Sequence, residues 1–183
     1  MSEFVPRSEK HGRQQRGSDE AWEWLQALAI AVVLALIIRE LVFSPFSVSG
    51  SSMMSTVHDK DKVVVNKLIY RISDIKVNDV VVFEAPEKKD YIKRVIGLPG
   101  DVVSAQNNVV RVNGKSIDEP YVDQGNRTED FGPVKVPANH IYAMGDNRSN
   151  SKDSRELGPI SMDKVIGRAD VIFWPIKNYS FLW

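Results

Sequence analysis

The sequence predicts a mainly β protein: a coiled, barrel-like sheet domain carried on one N-terminal transmembrane α-helix. Three observations lead there. A single apolar run, ALAIAVVLALII (residues 27–38), stands apart near the start. Beyond it, short β-branched runs recur between polar or Gly/Pro clusters. After residue 43 only 67–72 has a helical period, and no 20–50 residue repeat is present.

Residues 1–20 are polar, charged and aperiodic, and read as a disordered tail. The apolar run alone is too short for a hydrocarbon core of ~30 Å at ~1.5 Å per residue. Extended over 22–43 it is long enough, with Glu23, Gln26, Arg39 and Glu40 placed near its ends. Arg39 can snorkel, and Trp22 and Trp24 suit the interface. Residues 21–43 are therefore the expected anchor. A cleaved signal peptide ending near Ser47-Val48-Ser49 and a buried core helix are the competing readings. Arg7, Lys10, Arg13 and Arg16 precede the run, which places the N-terminus in the cytoplasm and the rest on the extracellular face.

Ser44-Pro45 ends the helix, and residues 44–183 form the β-rich domain. KVVVN (62–66), DVVVFEA (79–85) and DYIKRVIGL (90–98) are expected strands, and HIYAMGD and VIGRADVIFW supply late ones. VVSAQNNVVRVNGKSI (102–117) holds two hairpin signals, Asn107-Asn108 and Asn113-Gly114. At the C-terminus, Phe173 is expected to close the core. Trp174, Tyr179, Phe181 and Trp183 are expected at a membrane interface.

Composition narrows the chemistry. Lys and Arg number 24, as do Asp and Glu, so the chain lacks the basic excess that nucleic acid demands. It has no cysteine, which excludes thiolate nucleophiles and disulfides. Three histidines (His11, His58, His140) without an HExxH pattern argue against a metal, and nothing calls for a cofactor.

The stretch SGSSMMSTVHD (49–59) offers several serines as nucleophiles. A serine hydroxyl needs a base. On the strand DYIKRVI, period two puts Tyr91, Lys93 and Val95 on one face and Ile92, Arg94 and Ile96 on the other. Lys93 is then either a solvent-facing guard on an edge strand or a partly buried amine with a lowered pKa. The second would make a Ser-Lys pair. A triad through His140 and Asp146 stays open. GDNRSNSKDSRELG (145–158) is either an ordinary polar loop or a charge-assisted network built on Asp146/Arg148 and Asp153/Arg155.

The order of apolar anchor, SGSSMMSTV, NDVVVF, YIKRVIGLPGD and GDNRSNSKDSRELG resembles the bacterial type I signal peptidases, in their small Gram-positive form with one anchor. The resemblance implies a membrane-bound serine endopeptidase that cuts signal peptides from exported preproteins after Ala-x-Ala. Its partners would be those signal peptides and the lipid bilayer. It implies Ser52 as nucleophile and oxyanion donor, Lys93 as base and Ser151 as the group that holds the lysine. Met53 would line the substrate pocket, and Arg94, Asp146, Asp153 and Arg155 would brace the site. Two positions depart from the pattern: Ser55 stands where proline is usual, and Gly50 where other members carry serine. A catalytically silent anchored domain that binds exported chains is the alternative reading, favoured by Ser55. A self-cleaving repressor-type Ser-Lys protein would need a DNA-binding helix-turn-helix, which the first 43 residues do not hold.

Overall fold

The computed structural model describes the backbone of residues 9–41 and 43–183, and the side chains of 20–36 and 43–183. Of the expected disordered tail, residues 1–8 and the side chains of 9–19, His11 among them, lie outside these limits; the backbone of 9–20 is helical. The chain divides into two units, Met1–Leu41 and Val42–Trp183.

The first unit holds one helix, α1 (Glu9–Leu41). Among the described residues no helix is long and apolar enough to cross a membrane. The expected anchor segment continues through residues 37–42, in which Arg39 and Glu40 interrupt the apolar sequence and whose side chains are not described.

The second unit is a curled antiparallel β-structure. Its strands in chain order are β1 (Phe43–Ser47), β2 (Lys62–Asn66), β3 (Val80–Glu84), β4 (Asp90–Gly97), β5 (Val102–Gln106), β6 (Val109–Val112), β7 (Lys115–Ser116), β8 (Phe131–Lys135), β9 (His140–Met144), β10 (Ile160–Ser161), β11 (Val165–Trp174) and β12 (Ser180–Phe181). The larger sheet has the order β1-β2-β11-β3-β4-β9-β10, with β12 added to β11. A smaller sheet has the order β7-β6-β5-β8, so the expected single sheet is in fact two. They meet where Gly97 faces Val103: a Cβ on Gly97 would lie 2.6 Å from a Val103 methyl. Phe131 of β8 stacks on Tyr142 of β9 across this junction, with ring centroids 5.8 Å apart.

The strands follow from their residues. VVVF of β3 is buried on both faces because β11 and β4 flank it and apolar clusters lie above and below. Asn107 and Asn108 both take positive φ (53° and 63°), and so do Asn113 and Gly114 (53° and 78°), as two-residue hairpin turns with right-handed twist require. The helical signal at 67–72 yields one turn, Ile69–Ile72.

Two expectations change. Ser44-Pro45 lies within a strand, because β1 is an edge strand and pairs only with β2, where a missing N–H is tolerated. Phe173 does not close the core: it is 37% exposed, whereas Ile172 and Leu182 are buried. On β11 successive side chains alternate faces, so burying Ile172 turns Phe173 outward.

Candidate active site

The serine-rich stretch forms a loop between β1 and β2, closed at its base by Val48 N–H to Asp61 O (2.8 Å) and Lys60 N–H to Val48 O (2.9 Å). Gly50 takes φ +101°, a left-handed value that favours glycine, and its N–H donates to Asp59 Oδ1. Val57 N–H donates to Met53 O (2.8 Å), which closes 53–57 as a non-helical turn. Met53 and Val57, the two ends of that turn, are both buried with β2, β3 and β11 side chains. Burying each contributes roughly 1.5–3 kcal/mol, which pins the turn to the core. Met53 therefore anchors the loop from beneath. It is not among the residues that line the open groove.

Ser52 stands at the start of this turn, partly exposed. Its carbonyl accepts from Asn147 N–H (3.0 Å), and the Ser51 carbonyl accepts from Asn147 Nδ2 (3.0 Å). Lys93 Nζ lies 2.7 Å from Ser52 Oγ and 2.8 Å from Ile92 O. β4 lies between β3 and β9, so it is no edge strand, and Lys93 is only 3% exposed. The solvent-facing reading of Lys93 is thereby removed. Burial pulls the Lys93 pKa down to about 8, against the opposing pull of Asp153 and Asp146.

Among the described residues no histidine joins this pair. His140 Nδ1 lies 2.8 Å from Ala138 O. Its supposed partner Asp146 is buried and bound to Arg94 and Thr56 instead. His58 sits beside Asp61 at 3.7 Å.

The loop that follows β9 is a network. Asp146 accepts from Arg94 Nε (2.9 Å) and Nη2 (2.7 Å), and its Oδ2 also accepts from Thr56 Oγ1. Asp153 pairs with Arg155 through Nε (2.9 Å) and Nη2 (2.8 Å) and accepts from Gly145 N–H (2.9 Å). Burial opposes ionisation of Asp153, but Arg155 outweighs it and holds the carboxyl below its usual range. The expected Asp146/Arg148 pair does not form. Arg148 is buried, donates from Nε to Gly145 O (3.0 Å) and pairs with Glu119.

Ser151 lies in the same cluster: its buried Oγ has no partner at full hydrogen-bond geometry but is near enough to Asp153 to help hold that carboxyl low, and Lys93 takes Ile92 O as its second partner. A Cβ on Gly145 would sit 2.2 Å from Ser151 Oγ and 2.4 Å from Ser52 O. Glycine here lets Ser151 and the Ser52 backbone approach each other. Gly145, Asn147, Glu119 and Thr56 went unassigned in the sequence, and Arg148 was paired there with Asp146; only the glycine at the head of the 145–158 block hinted at a close approach.

A groove of about 670 Å³ opens over Ser52 and Lys93. Phe46, Ser47 and 49–52 form one wall, residues 89–93 the other, with Asn150 and Lys152 also lining it. β9 pairs with β4 only from Arg94 onward, which leaves 90–92 unpaired on that side. Among the described residues no cluster of three metal-ligating side chains occurs.

The family described as "Signal peptidase, peptidase S26" matches residues 21–174. A signal peptidase I of Bacillus amyloliquefaciens is 43% identical over 187 residues, covering 96% of each chain. Signal peptidase I S of Bacillus subtilis is 43% identical over 167 residues, covering 85% of this chain and 90% of its own. Signal peptidase I of Bacillus caldolyticus is 39% identical over 97% of this chain and 99% of its own.

Proposed function

The chain belongs to the signal peptidase, peptidase S26 family of serine proteases, and we propose that it is a membrane-anchored endopeptidase that cuts signal peptides from exported preproteins by a Ser52–Lys93 dyad. The 2.7 Å approach of Lys93 Nζ to Ser52 Oγ, at the floor of an open groove, carries this reading.

The substrate docks as an extended strand. The unpaired edge at 90–92 and the opposite wall at 46–52 supply backbone groups for it, and small side chains, as in Ala-x-Ala, fit beside the serine. Ser52 Oγ attacks the scissile carbonyl carbon, and its proton passes to the neutral amine of Lys93. The Ser52 N–H stabilises the oxyanion. The C–N bond then breaks as Lys93 returns the proton to the leaving amine. Water attacks the acyl-enzyme, giving a proton to Lys93, which restores the Ser52 hydroxyl as the acid departs. The buried Ser151 hydroxyl serves to orient Lys93, the Arg94–Asp146 pair ties the loop after β9 to Thr56 of the nucleophile loop, and the Asp153–Arg155 pair braces the loop after β9 internally.

The anchor is 21–43, single-pass, with the N-terminus cytoplasmic and residues 44–183 on the extracellular face. Its support is the length of the apolar run and the basic flank before it. Large apolar side chains of α1 such as Leu28 are more than half exposed, a state that lipid would relieve.

Cleavage of a preprotein by the full chain tests the reading. Ser52→Ala and Lys93→Ala should each lower kcat by at least about a thousandfold. Unchanged cleavage by either variant would reject the dyad.

A further inference from the structure

Between β7 and β8 the chain makes a long excursion without helix or strand. Besides Thr128, whose Oγ1 accepts from Arg148 Nη1 (3.2 Å), three of its side chains reach the bracing network from outside. The Tyr121 ring centroid lies 4.0 Å from the Arg94 guanidinium carbon and 6.0 Å from that of Arg148. Glu119 accepts from Arg148 Nη1 (3.1 Å) and Nη2 (2.5 Å). Asp123 accepts from Ser55 Oγ (3.0 Å), three residues past Ser52. Val122 N–H to Glu119 O (3.0 Å) folds 119–122 into a turn, so all three groups project from one small knot. None of them lines the groove.

We propose that residues 119–123 act as a positioning knot for Ser52: Tyr121 sheathes the Arg94–Asp146 pair, Glu119 satisfies Arg148, and Asp123 latches the nucleophile turn through Ser55. The inference rests on the Ser52–Lys93 reading above.

Two routes lead from the knot to the nucleophile. In the first, the Tyr121 face is a favourable seat for a guanidinium and keeps water from a pair whose strength depends on its absence. Arg94 is only 6% exposed and Asp146 not at all. Arg94 aligns Asp146, and Asp146 holds Thr56 within the turn that Ser52 begins. In the second, Glu119 matches the charge of Arg148, which is otherwise an uncompensated buried cation. Arg148 Nε fixes the Gly145 carbonyl, and its own carbonyl accepts from Arg155 Nη1 (2.7 Å). Gly145 in turn packs on the Ser52 carbonyl. Ser52 is thus gripped from both sides through groups that the knot covers.

A knot that merely adds stability predicts lower melting temperatures with unchanged turnover of the folded enzyme. A positioning knot predicts a fall in kcat at constant KM, since it stays out of the groove. The test is steady-state cleavage of a preprotein by the full chain, well below each variant's melting temperature. Tyr121→Leu should lower kcat at least about tenfold, because ångström-scale misplacement of a reacting group costs up to ~10²-fold. Its KM should remain within about twofold of the unmodified value. Tyr121→Phe keeps the ring, loses only a 3.4 Å bond to Glu119, and should restore kcat. Should the leucine variant not fold, Glu119→Gln must show the same split of lowered kcat and constant KM.

Unchanged kcat in a folded Tyr121→Leu or Glu119→Gln overturns the inference. So does a rise in KM alone, or a Tyr121→Phe as slow as Tyr121→Leu. Ser52→Ala separates the two levels. If it is inactive while the knot variants are normal, only the knot falls; if it cleaves normally, the nucleophile assignment falls and the knot with it.

Discussion

Lys93 is buried beside Ser52, and burial holds its pKa down to about 8. Only the neutral amine can accept the serine proton. The neutral fraction grows as pH rises through that value, so kcat/KM should climb toward pH 8 and level above it. A profile that falls with pH across this range would remove Lys93 as the base. Gly145 offers a second test. A Cβ there would meet the Ser52 carbonyl at 2.4 Å and Ser151 Cβ at 2.6 Å, both parts of the site. Gly145→Ala should therefore lower kcat by roughly tenfold or more and reduce the melting temperature, measured by cleavage assay and calorimetry. The candidate nucleophile and base were legible in the sequence through their neighbours. The partner of Asp146 was not. Spacing pointed to Arg148, two residues on, but residues two apart in a short loop need not face each other. Arg94 sits directly across the β4/β9 ladder from Met144, two residues before Asp146, and reaches the carboxylate bidentately.

The strands that were legible carry their own local signal. β2, β3, β4 and β11 are β-branched runs, and both asparagine turns close hairpins. β1 and β8 were not legible. Each contains a proline (Pro45, Pro133), each is the edge of its sheet, and each becomes a strand only by pairing with one neighbour, β2 or β5. The β6–β7 hairpin gives a clean prediction. Gly114 has φ 78° with nothing within 4 Å of an added Cβ, so a substitution there meets only backbone strain. Gly114→Val should cost about 1–2 kcal/mol in urea denaturation while leaving the distant dyad active. A neutral result would mean that the turn relaxes into another type.

On the scale of the whole molecule, the most conspicuous surface feature is aromatic. Trp174, Tyr179, Phe181 and Trp183 are each more than half exposed, and three of them touch in sequence: Tyr179 to Phe181 (5.6 Å) and Phe181 to Trp183 (4.7 Å). Trp and Tyr favour the depth of lipid headgroups. Residues 42–183 should bind anionic vesicles in a flotation assay, and Trp174→Ser with Phe181→Ser and Trp183→Ser should weaken that binding severalfold. Equal flotation of both proteins would dismiss the patch as a lipid contact. The sequence by itself determined the residue chemistry, the anchor-like run, the central strands and the two tight turns. Those signals arise between neighbours a few residues apart. The tertiary structure alone decided that Lys93 is dry, that Arg94 rather than Arg148 holds Asp146, that Met53 faces the core, and that Glu119, Tyr121 and Gly145 pack against the groups around the site. Such contacts join residues as far apart as Tyr121 and Arg94 (27 positions) or Ser52 and Gly145 (93 positions), and desolvation is summed over every element packed around a group, so no local pattern encodes either.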